Sequence, residues 1–333
     1  MILAGDIGGT NTRLALSDKK GRLSELREFR SKDHKDLASI VRQYLEDARP
    51  KKKIRRACFG VAGPVKGKPG KTYSQITNLP WRVEQRTLAK ALDLKADKVK
   101  IINDLAANAA GIDVVPDKQM FTLQKGEKDE GNRGIISVGT GLGVGGAVWD
   151  GERHIPVPSE GGHYSFGPRN ELECDLLQFL SNREREVFRG YVSWERVLSG
   201  PGLYNLFEFH VARNIGTQQL VIPPGTTPGE AAKLIGSAAI AGTCDRASKT
   251  LNLCVSLYGA AAGNVAIQYT AIGGLYVGGG IAPKIIDRLK SPTFIESFLD
   301  KGPMRERLLA KIPVRVILDE HCALRGAAME AQL

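Results

Sequence analysis

Apolar and polar positions along the chain predict two successive blocks of α/β structure. The first block opens with three apolar segments, at 2–7, 12–17 and 23–30, which predict strands joined by tight turns. A helical period follows from Leu37 to Ala48, where apolar side chains recur three and four positions apart. The remaining elements of this block are predicted as strands at 57–62 and 99–102 and helices at about 83–92 and 105–111.

The second block repeats this opening after a polar passage over 116–133. Its predicted strands are 135–138, 144–149, 154–157, 275–277 and 314–318. Its predicted helices are about 171–180, 194–197, 202–213, 228–235, 244–269, 283–289 and 323–332. We therefore expect an α/β protein with a smaller domain (1–114 plus 318–333) and a larger one (115–317), facing one another across a central cleft where a small ligand binds.

Composition narrows the class of protein. Hydrophobic residues make up 42% and charged residues 25%, as in ordinary globular proteins. The five cysteines are scattered and form no C-x-x-C pair, which argues against a disulfide framework or a zinc site and favours reduced thiols in the cytoplasm. No signal peptide precedes the first strand, and the uncharged stretch between Lys249 and Lys284 is interrupted by polar residues. We expect a buried helix and strand there, and no membrane partner.

Net charge adds a smaller constraint. The chain has a formal charge of +11, and its densest basic run is Lys51-Lys52-Lys53-Ile54-Arg55-Arg56. No aromatic residues interleave with this run and no DNA-binding motif is present, so a solvated loop is favoured and no nucleic-acid partner is expected. A general preference for anionic ligands is compatible with the charge.

Two glycine- and threonine-rich turns carry the first functional signal. They are Gly5-Asp6-Ile7-Gly8-Gly9-Thr10-Asn11 and Gly139-Thr140-Gly141, each between apolar strands. Such turns can aim backbone N–H groups at phosphates, and Asp6 could hold magnesium directly or through water. The alternative is two hairpin turns that use glycine only for its positive φ. Neither turn matches a P-loop or a dinucleotide fingerprint. Two such turns, one near the start of each block, predict a nucleotide-dependent phosphotransferase.

Three further segments offer groups for an acceptor and a base. Asn103-Asp104 lies between a strand and a helix, where Asp104 could be a general base or both residues could serve as helix caps. Glu160 and His163 stand on a glycine-rich loop and could bind the hydroxyls of a polyol. Gly278-Gly279-Gly280 could let a purine lie against the backbone or could form a tight turn.

An ordered set of motifs resembles the bacterial glucokinase family over essentially the whole chain. The set comprises Gly5-Asp6-Ile7-Gly8-Gly9-Thr10-Asn11-Thr12-Arg13, Thr77-Asn78-Leu79-Pro80-Trp81, Ile102-Asn103-Asp104, Gly139-Thr140-Gly141-Leu142-Gly143, Glu160-Gly161-Gly162-His163, Glu195-Arg196-Val197-Leu198-Ser199-Gly200-Pro201-Gly202-Leu203 and Gly278-Gly279-Gly280-Ile281. The resemblance implies the actin/hexokinase-type ATPase fold with two ribonuclease-H-like domains. It also implies ATP- and magnesium-dependent phosphorylation of the glucose 6-hydroxyl by a cytoplasmic enzyme that is commonly a homodimer.

The resemblance also implies a role for each candidate residue. Asp104 is the general base. The sugar hydroxyls are held by Asn103, Glu160, His163 and Glu195, with Asn78 near the sugar. The ATP phosphates face Gly5 through Asn11 and Gly139-Thr140-Gly141, with Asp6 toward magnesium. Gly279 and Gly280 lie near the adenosine.

One departure separates this chain from a related family. The repressor/kinase (ROK) family follows its Glu-Gly-Gly-His with a cysteine-rich zinc motif, whereas Tyr164-Ser165-Phe166-Gly167 follows here. We therefore expect a zinc-free glucokinase, and no repressor, since no DNA-binding helices precede Asp6. The alternatives are a kinase for another hexose, a kinase with a polyphosphate donor, and a sugar or nucleotide sensor without turnover.

Overall fold

A computed structural model describes residues 1–77, 79–183, 185–217 and 220–333 of the chain. These residues form two compact units. Unit 1 contains Met1–Gln119, Pro156–Pro158 and Asp319–Leu333, and unit 2 contains Met120–Ile155 and Ser159–Leu318. Strands and helices occur in both units, so the predicted α/β class is confirmed.

The strands of the described residues, in chain order, are β1 (Ile2–Ile7), β2 (Asn11–Ser17), β3 (Leu23–Arg30), β4 (Arg56–Val61), β5 (Val65–Lys66), β6 (Tyr73–Gln75), β7 (Arg82–Glu84), β8 (Val99–Asn103), β9 (Met120–Gln124), β10 (Arg133–Val138), β11 (Leu142–Trp149), β12 (His154–Val157), β13 (Leu275–Gly278) and β14 (Val314–Ile317). The α-helices are α1 (Leu37–Ala48), α2 (Gln85–Ala91), α3 (Asp104–Gly111), α4 (Glu171–Arg183), α5 (Arg185–Phe188), α6 (Gly200–Ala212), α7 (Pro228–Ala241), α8 (Asp245–Tyr269), α9 (Ile286–Leu289), α10 (Pro292–Leu299), α11 (Met304–Arg307) and α12 (Cys322–Glu330).

The main sheet of unit 1 has the order β3-β2-β1-β4-β8. Strand β1 runs antiparallel to β2 and parallel to β4, which in turn runs parallel to β8. The carboxyl ends of β1, β4 and β8 therefore meet at one edge of the sheet. On one face, Leu3 and Ile7 belong to an apolar core that includes α1 residues, and on the other Ala4 packs with Leu324 and Ala327 of α12. Because side chains alternate along a strand, Asp6 points to the α12 face.

The sheet of unit 2 repeats this arrangement with the order β12-β11-β10-β13-β14-β9. Strand β10 is antiparallel to β11 and parallel to β13, so β10 and β13 also end at one edge. Helix α8 packs closely against α10 at two glycines. A Cβ on Gly259 would lie 2.1 Å from the Phe294 carbonyl oxygen, and one on Gly263 would lie 2.6 Å from that of Phe298.

Several local predictions were wrong. The helix predicted at about 83–92 begins only at Gln85, after strand β7, and the short strands β5 and β6 were not predicted. The polar passage at 116–133 contains β9, which pairs with β14 at the edge of the sheet and buries its apolar residues only in part. The alternation of apolar and polar residues is weak in an edge strand with polar neighbours in sequence, so the sequence pattern predicts a loop there. The helix predicted at 194–197 is a single 3₁₀ turn, Trp194–Arg196, because Ser199 already caps the start of α6.

Helix α8 is the one helix of the described residues that is long and apolar enough to span a membrane. Within that apolar window, 78% of the residues are buried inside the protein. Leu251, Val255 and Leu257 of this helix belong to the core of unit 2. The structure thus agrees with the sequence prediction of a core helix followed by a buried strand.

Candidate active site

The first glycine-rich turn joins β1 to β2 in unit 1. The Gly8 N–H donates to the Asn11 carbonyl oxygen at 2.9 Å, which closes the turn. No hydrogen bond from the N–H of Gly9 or Thr10 occurs among the described residues. Neither Gly8 nor Gly9 has φ in the left-handed region, so positive φ does not explain these glycines. Two backbone donors are thus available to an anion at the surface of this turn.

Ser31 fixes the shape of this turn, although no pattern in the sequence marks it. Its hydroxyl donates to the Gly8 carbonyl oxygen at 2.9 Å and lies 3.0 Å from the Thr12 hydroxyl. Its N–H donates to the Thr10 carbonyl oxygen at 2.9 Å. Ser31 follows β3 without any periodic signal, so only the antiparallel pairing of β2 with β3 brings it to the turn.

Replacing Ser31 by Ala should loosen the first turn. The buried Ser31 hydroxyl forms hydrogen bonds with the Gly8 carbonyl oxygen and the Thr12 hydroxyl. Its removal leaves these polar groups unsatisfied and lowers the free energy of unfolding by about 1–3 kcal/mol. We expect a lower free energy of unfolding and weaker nucleotide binding, with the KM for sugar unchanged. Urea unfolding measures the change in stability, and steady-state kinetics against each substrate measures the change in KM. The control is Ser24→Ala, because Ser24 is an exposed residue of β3. An equal loss in both KM values would contradict a role limited to the turn.

The carboxyl group of Asp6, near the end of β1, has a raised pKa. Burial raises its pKa above the ordinary 3.8, and the positive charges of Arg13 and His321 oppose that shift only in part. Arg13 is already engaged by Glu28, with Nε 2.6 Å from Oε2. The Nδ1 atom of His321 is buried and has no hydrogen-bond partner. A cation beside Asp6 would therefore favour its ionised form.

Asn103 and Asp104 lie at the carboxyl end of β8, at the same sheet edge as the first turn. Asn103 caps α3, since its Oδ1 accepts from the Leu105 N–H at 3.0 Å, and its Nδ2 donates to the Gly63 carbonyl oxygen at 3.3 Å. Asp104 Oδ1 also accepts from Leu105 N–H, at 2.9 Å. The capping role that the sequence left open is thus present, and it holds the Asp104 carboxylate at the first turn of α3.

Close packing behind this edge depends on Gly60 in the middle of the sheet. It pairs with Asp6 on one side and with Ile102 on the other. A Cβ at this position would lie 2.8 Å from the Cβ of Ala107 in α3. Gly60 therefore lets α3, with Asp104 at its start, approach the strand beside Asp6.

The second glycine-rich turn joins β10 to β11 in unit 2. The Gly139 N–H donates to the Gly141 carbonyl oxygen at 2.9 Å, and neither glycine has a left-handed φ. The N–H groups of Thr140 and Gly141 make no hydrogen bond within the described residues. The Leu142 N–H donates to Oε2 of Glu195 at 2.9 Å. This predicted sugar-binding carboxylate therefore touches the predicted phosphate turn.

The Glu-Gly-Gly-His loop packs against the same place. Gly161–His163 form a 3₁₀ turn, and a Cβ on Gly162 would lie 2.0 Å from the Leu142 carbonyl oxygen. The side chains of Glu160 and His163 are exposed, and neither has a hydrogen-bond or ion partner among the residues described. Leu142 thus brings the loop and Glu195 together.

Gly278-Gly279-Gly280 ends β13, next to the end of β10. Gly279 has φ +85°, and a Cβ there would lie 2.3 Å from the Val138 carbonyl oxygen. Gly280 is exposed, and a Cβ there would meet no atom within 4 Å. The tight turn and the open backbone surface that the sequence left as alternatives both occur in this segment.

Replacing Gly279 by Ala should destabilise unit 2 and displace the end of β10. Both the φ of +85° and the contact with Val138 oppose a side chain there. A Gly225→Ala variant separates the effect of φ from that of the contact, because Gly225 has φ +81° but a Cβ there would meet no atom within 4 Å. We expect Gly225→Ala to cost about 1 kcal/mol and Gly279→Ala clearly more, measured by urea unfolding. Equal losses would mean that the contact with Val138 is unimportant.

The predicted site residues thus fall into two groups. In unit 1, Asp6, the first turn, Asn103 and Asp104 share the edge formed by β1, β4 and β8. In unit 2, the second turn, Glu195 and the 160–163 loop meet at Leu142, with Gly279 at the neighbouring strand end. Asn78 lies outside the described residues. Sequence reasoning missed Ser31, Gly60 and Leu142, which act through packing or backbone groups.

The family model described as glucokinase matches residues 3–333. A glucokinase of Nostoc sp. (strain PCC 7120) is 39% identical, over 99% of this chain and 98% of that protein. The crystal structure of a glucokinase from an Antarctic psychrotroph superposes with a TM-score of 0.80 at 33% identity, covering 99% of this chain and 98% of that one.

A more distant structure shares the fold. It is a ROK family glucokinase from Streptomyces griseus, in complex with glucose and AMPPNP, with a TM-score of 0.68 at 20% identity and 99% coverage of both chains. These similarities confirm the predicted fold class, that of the actin/hexokinase-type ATPases.

Proposed function

The chain belongs to the glucokinase family, and on this premise we propose that it transfers the terminal phosphoryl group of ATP to the 6-hydroxyl of glucose. The observation that carries the proposal is the position of Asp104. It stands at the carboxyl end of β8, on the sheet edge where the first turn presents two unused backbone N–H groups. Ligands of open α/β sheets bind at such strand ends.

Asp104 is the proposed general base. Its Oδ1 accepts from the Leu105 N–H at 2.9 Å, which orients the carboxylate at the start of α3. Removal of the hydroxyl proton as the oxygen attacks phosphorus contributes typically about 10²–10⁴ in rate. Asn103, held by its cap to Leu105, is proposed to bind a neighbouring sugar hydroxyl.

The remaining sugar contacts are proposed for unit 2, where Glu160, His163 and Glu195 are grouped around Leu142. Glu160 and His163 are exposed and unpartnered, as groups that await a polar ligand must be. Asn78 is proposed near the sugar from the family resemblance. Hydrogen bonds to charged partners contribute about 1.5–3 kcal/mol each, enough together to select a hexose.

Each glycine-rich turn is proposed to face the phosphates of the nucleotide, Gly5 to Asn11 in unit 1 and Gly139 to Gly141 in unit 2. Each turn leaves two backbone N–H groups free to bind phosphate oxygens. Gly279 and Gly280, which offer a backbone surface without side chains, are proposed to face the adenosine. The Streptomyces griseus relative, which shares the fold, holds glucose and AMPPNP.

Magnesium is proposed to accompany the ATP, and Asp6 would hold it directly or through water. The described residues contain no group of three or more His, Cys, Asp and Glu side chains placed to hold a metal ion by themselves. A single carboxylate fits an ion that arrives on nucleotide phosphates, because magnesium is commonly bound by one or two carboxylates and substrate phosphates. When bound, magnesium would neutralise charge on the phosphates.

One observation favours inorganic polyphosphate as a second phosphoryl donor besides ATP. Residues 51–100 contain fourteen Lys and Arg but three Asp and Glu, a surplus equal to the net charge of the chain. Within this segment Lys71, Arg82 and Arg86 line a cavity of about 160 Å³ together with Glu84. Inorganic polyphosphate is a linear anion that this surplus would attract.

A coupled assay for glucose 6-phosphate tests the proposed function. Glucose, mannose, fructose and N-acetylglucosamine are each assayed with ATP and with polyphosphate, with and without magnesium. We expect ATP and glucose with magnesium to give the highest kcat/KM. Glucose binding without product under every condition would instead identify a sensor. A homodimer in the cytoplasm remains our expectation, and sedimentation would measure the assembly.

A further inference from the structure

Glu195 has a second contact besides the sugar role proposed for it. Its Oε2 accepts from the Leu142 N–H at 2.9 Å, across 53 positions of sequence. That N–H belongs to the last peptide group of the Gly139–Gly141 turn. The carbonyl oxygen of the same peptide group, Gly141 O, accepts from the Gly139 N–H at 2.9 Å. Glu195 therefore holds the peptide that closes the turn.

The same carboxylate also lies close to Gly141. A Cβ on Gly141 would lie 2.6 Å from Glu195 Oε2, closer than real Cβ atoms approach an oxygen. Its φ lies outside the left-handed region, so a Cβ here would act on the Glu195 carboxylate and not on the backbone conformation. The short distance means that the carboxylate lies directly against the backbone whose N–H groups are proposed to bind phosphate.

The backbone that carries Glu195 is itself held firmly. The Ser199 hydroxyl donates to the Glu195 carbonyl oxygen at 2.8 Å and accepts from the Gly202 N–H at 2.9 Å at the start of α6. The Gly200 N–H donates to the Gly139 carbonyl oxygen at 2.9 Å. Segment 195–200 thus binds the turn at both ends, by the Glu195 side chain at Leu142 and by a backbone bond at Gly139.

From these contacts we infer that Glu195 is a positioning residue for the nucleotide turn, and that through it sugar binding and nucleotide binding are coupled within unit 2. The inference rests on the proposed function, both for the sugar contact of Glu195 and for the phosphate contact of the turn. Oε2 is engaged by Leu142, and Oε1 has no partner among the described residues, so a sugar hydroxyl can bind Oε1 without breaking the tether. A bound sugar would limit rotation of the carboxylate and thereby order the turn, and the coupling is reciprocal.

Three variants separate the tether from the charge. Glu195→Ala removes both, whereas Glu195→Gln keeps an oxygen that accepts from Leu142 N–H but loses the charge. Glu160→Ala is the matched control, because Glu160 has no hydrogen bond to the turn. The readout is the Kd of magnesium AMPPNP by calorimetry, first without sugar and then with saturating glucose.

We expect Glu195→Ala to raise the nucleotide Kd about tenfold without sugar, the size of one hydrogen bond to a charged group. Glucose should then no longer tighten nucleotide binding. Glu195→Gln should keep the nucleotide Kd within about twofold of the wild type while its KM for glucose rises. Glu160→Ala should raise only the KM for glucose. Circular dichroism and Tm confirm that each variant is folded.

Gly141→Ala provides an independent test from the nucleotide side. Its Cβ would displace the Glu195 carboxylate, so this change in the phosphate turn should raise the KM for glucose. A nucleotide Kd unchanged in folded Glu195→Ala, or an unchanged KM for glucose in Gly141→Ala, overturns the inference. If the wild type makes no glucose 6-phosphate, the proposed function fails, while the nucleotide Kd without sugar still decides whether the tether exists.

Discussion

Asp104→Asn is expected to lower turnover about 10²–10⁴-fold while glucose binding stays close to that of the wild type. Asparagine has nearly the same shape and can still accept the Leu105 N–H that orients Asp104 at 2.9 Å. It cannot take the hydroxyl proton at neutral pH. The loss should therefore appear in kcat and leave the Kd for glucose unchanged, measured by product formation and by calorimetry.

Asn108→Ala serves as the control for structural damage at the start of α3. The Asn108 Nδ2 donates to the Asp104 carbonyl oxygen at 3.1 Å, so its removal perturbs the backbone of Asp104 without changing the carboxylate. A small effect on kcat there and a large one in Asp104→Asn identify the carboxylate as the base. Near-normal turnover in Asp104→Asn would remove Asp104 from that role.

Asp6→Asn is expected to reduce turnover about 10²-fold or more without lowering the stability of the ligand-free protein. Burial raises the pKa of Asp6, so its ionised form is disfavoured in the fold. A raised carboxyl pKa contributes stability that is present below the ordinary value of 3.8 and is lost as pH rises through the folded pKa. At a pH well above 3.8 the Asp6 carboxyl group is therefore a net cost to the fold, which asparagine avoids.

Thermal unfolding at several pH values measures this effect. The Tm of Asp6→Asn at pH 7 should equal or exceed that of the wild type, and the difference should shrink toward pH 4. Magnesium ATP should raise the Tm of the wild type but not that of the variant. Asp93→Asn is the control, since the Asp93 side chain is 96% exposed. A lower Tm at pH 7 for Asp6→Asn, with activity retained, would show that Asp6 stabilises the fold and does not bind magnesium.

Much of the fold could be predicted because each element has a local pattern. The strands around both glycine-rich turns and the long helix α8 follow from apolar runs and turn residues. Strand β9 and helix α10 were missed, since one is an edge strand in a polar stretch and the other is only eight residues long. The three-stranded sheet β5-β6-β7 was missed as well, because its strands have only two or three residues each. Short elements owe their stability to packing more than to their own sequence.

In the candidate site, too, some features have a local sequence pattern and others do not. Asp104 and the two turns are recognisable because each stands where an apolar strand ends. The contact between Glu195 and Leu142 has no such signal, because it joins a carboxylate to a backbone group far along the chain. The hydroxyl of Ser31 likewise reaches Gly8 across 23 positions.

The amino-acid sequence by itself determined the α/β class, the duplicated opening of the two blocks and the family, because these depend on local periodicity and on motifs in a fixed order. Only the tertiary structure decided what those motifs touch. It places Gly60 where α3 must approach, raises the pKa of Asp6 by burial, and sets Glu195 against the second turn. Such effects depend on distances between groups that are remote in sequence, and only the folded chain specifies them.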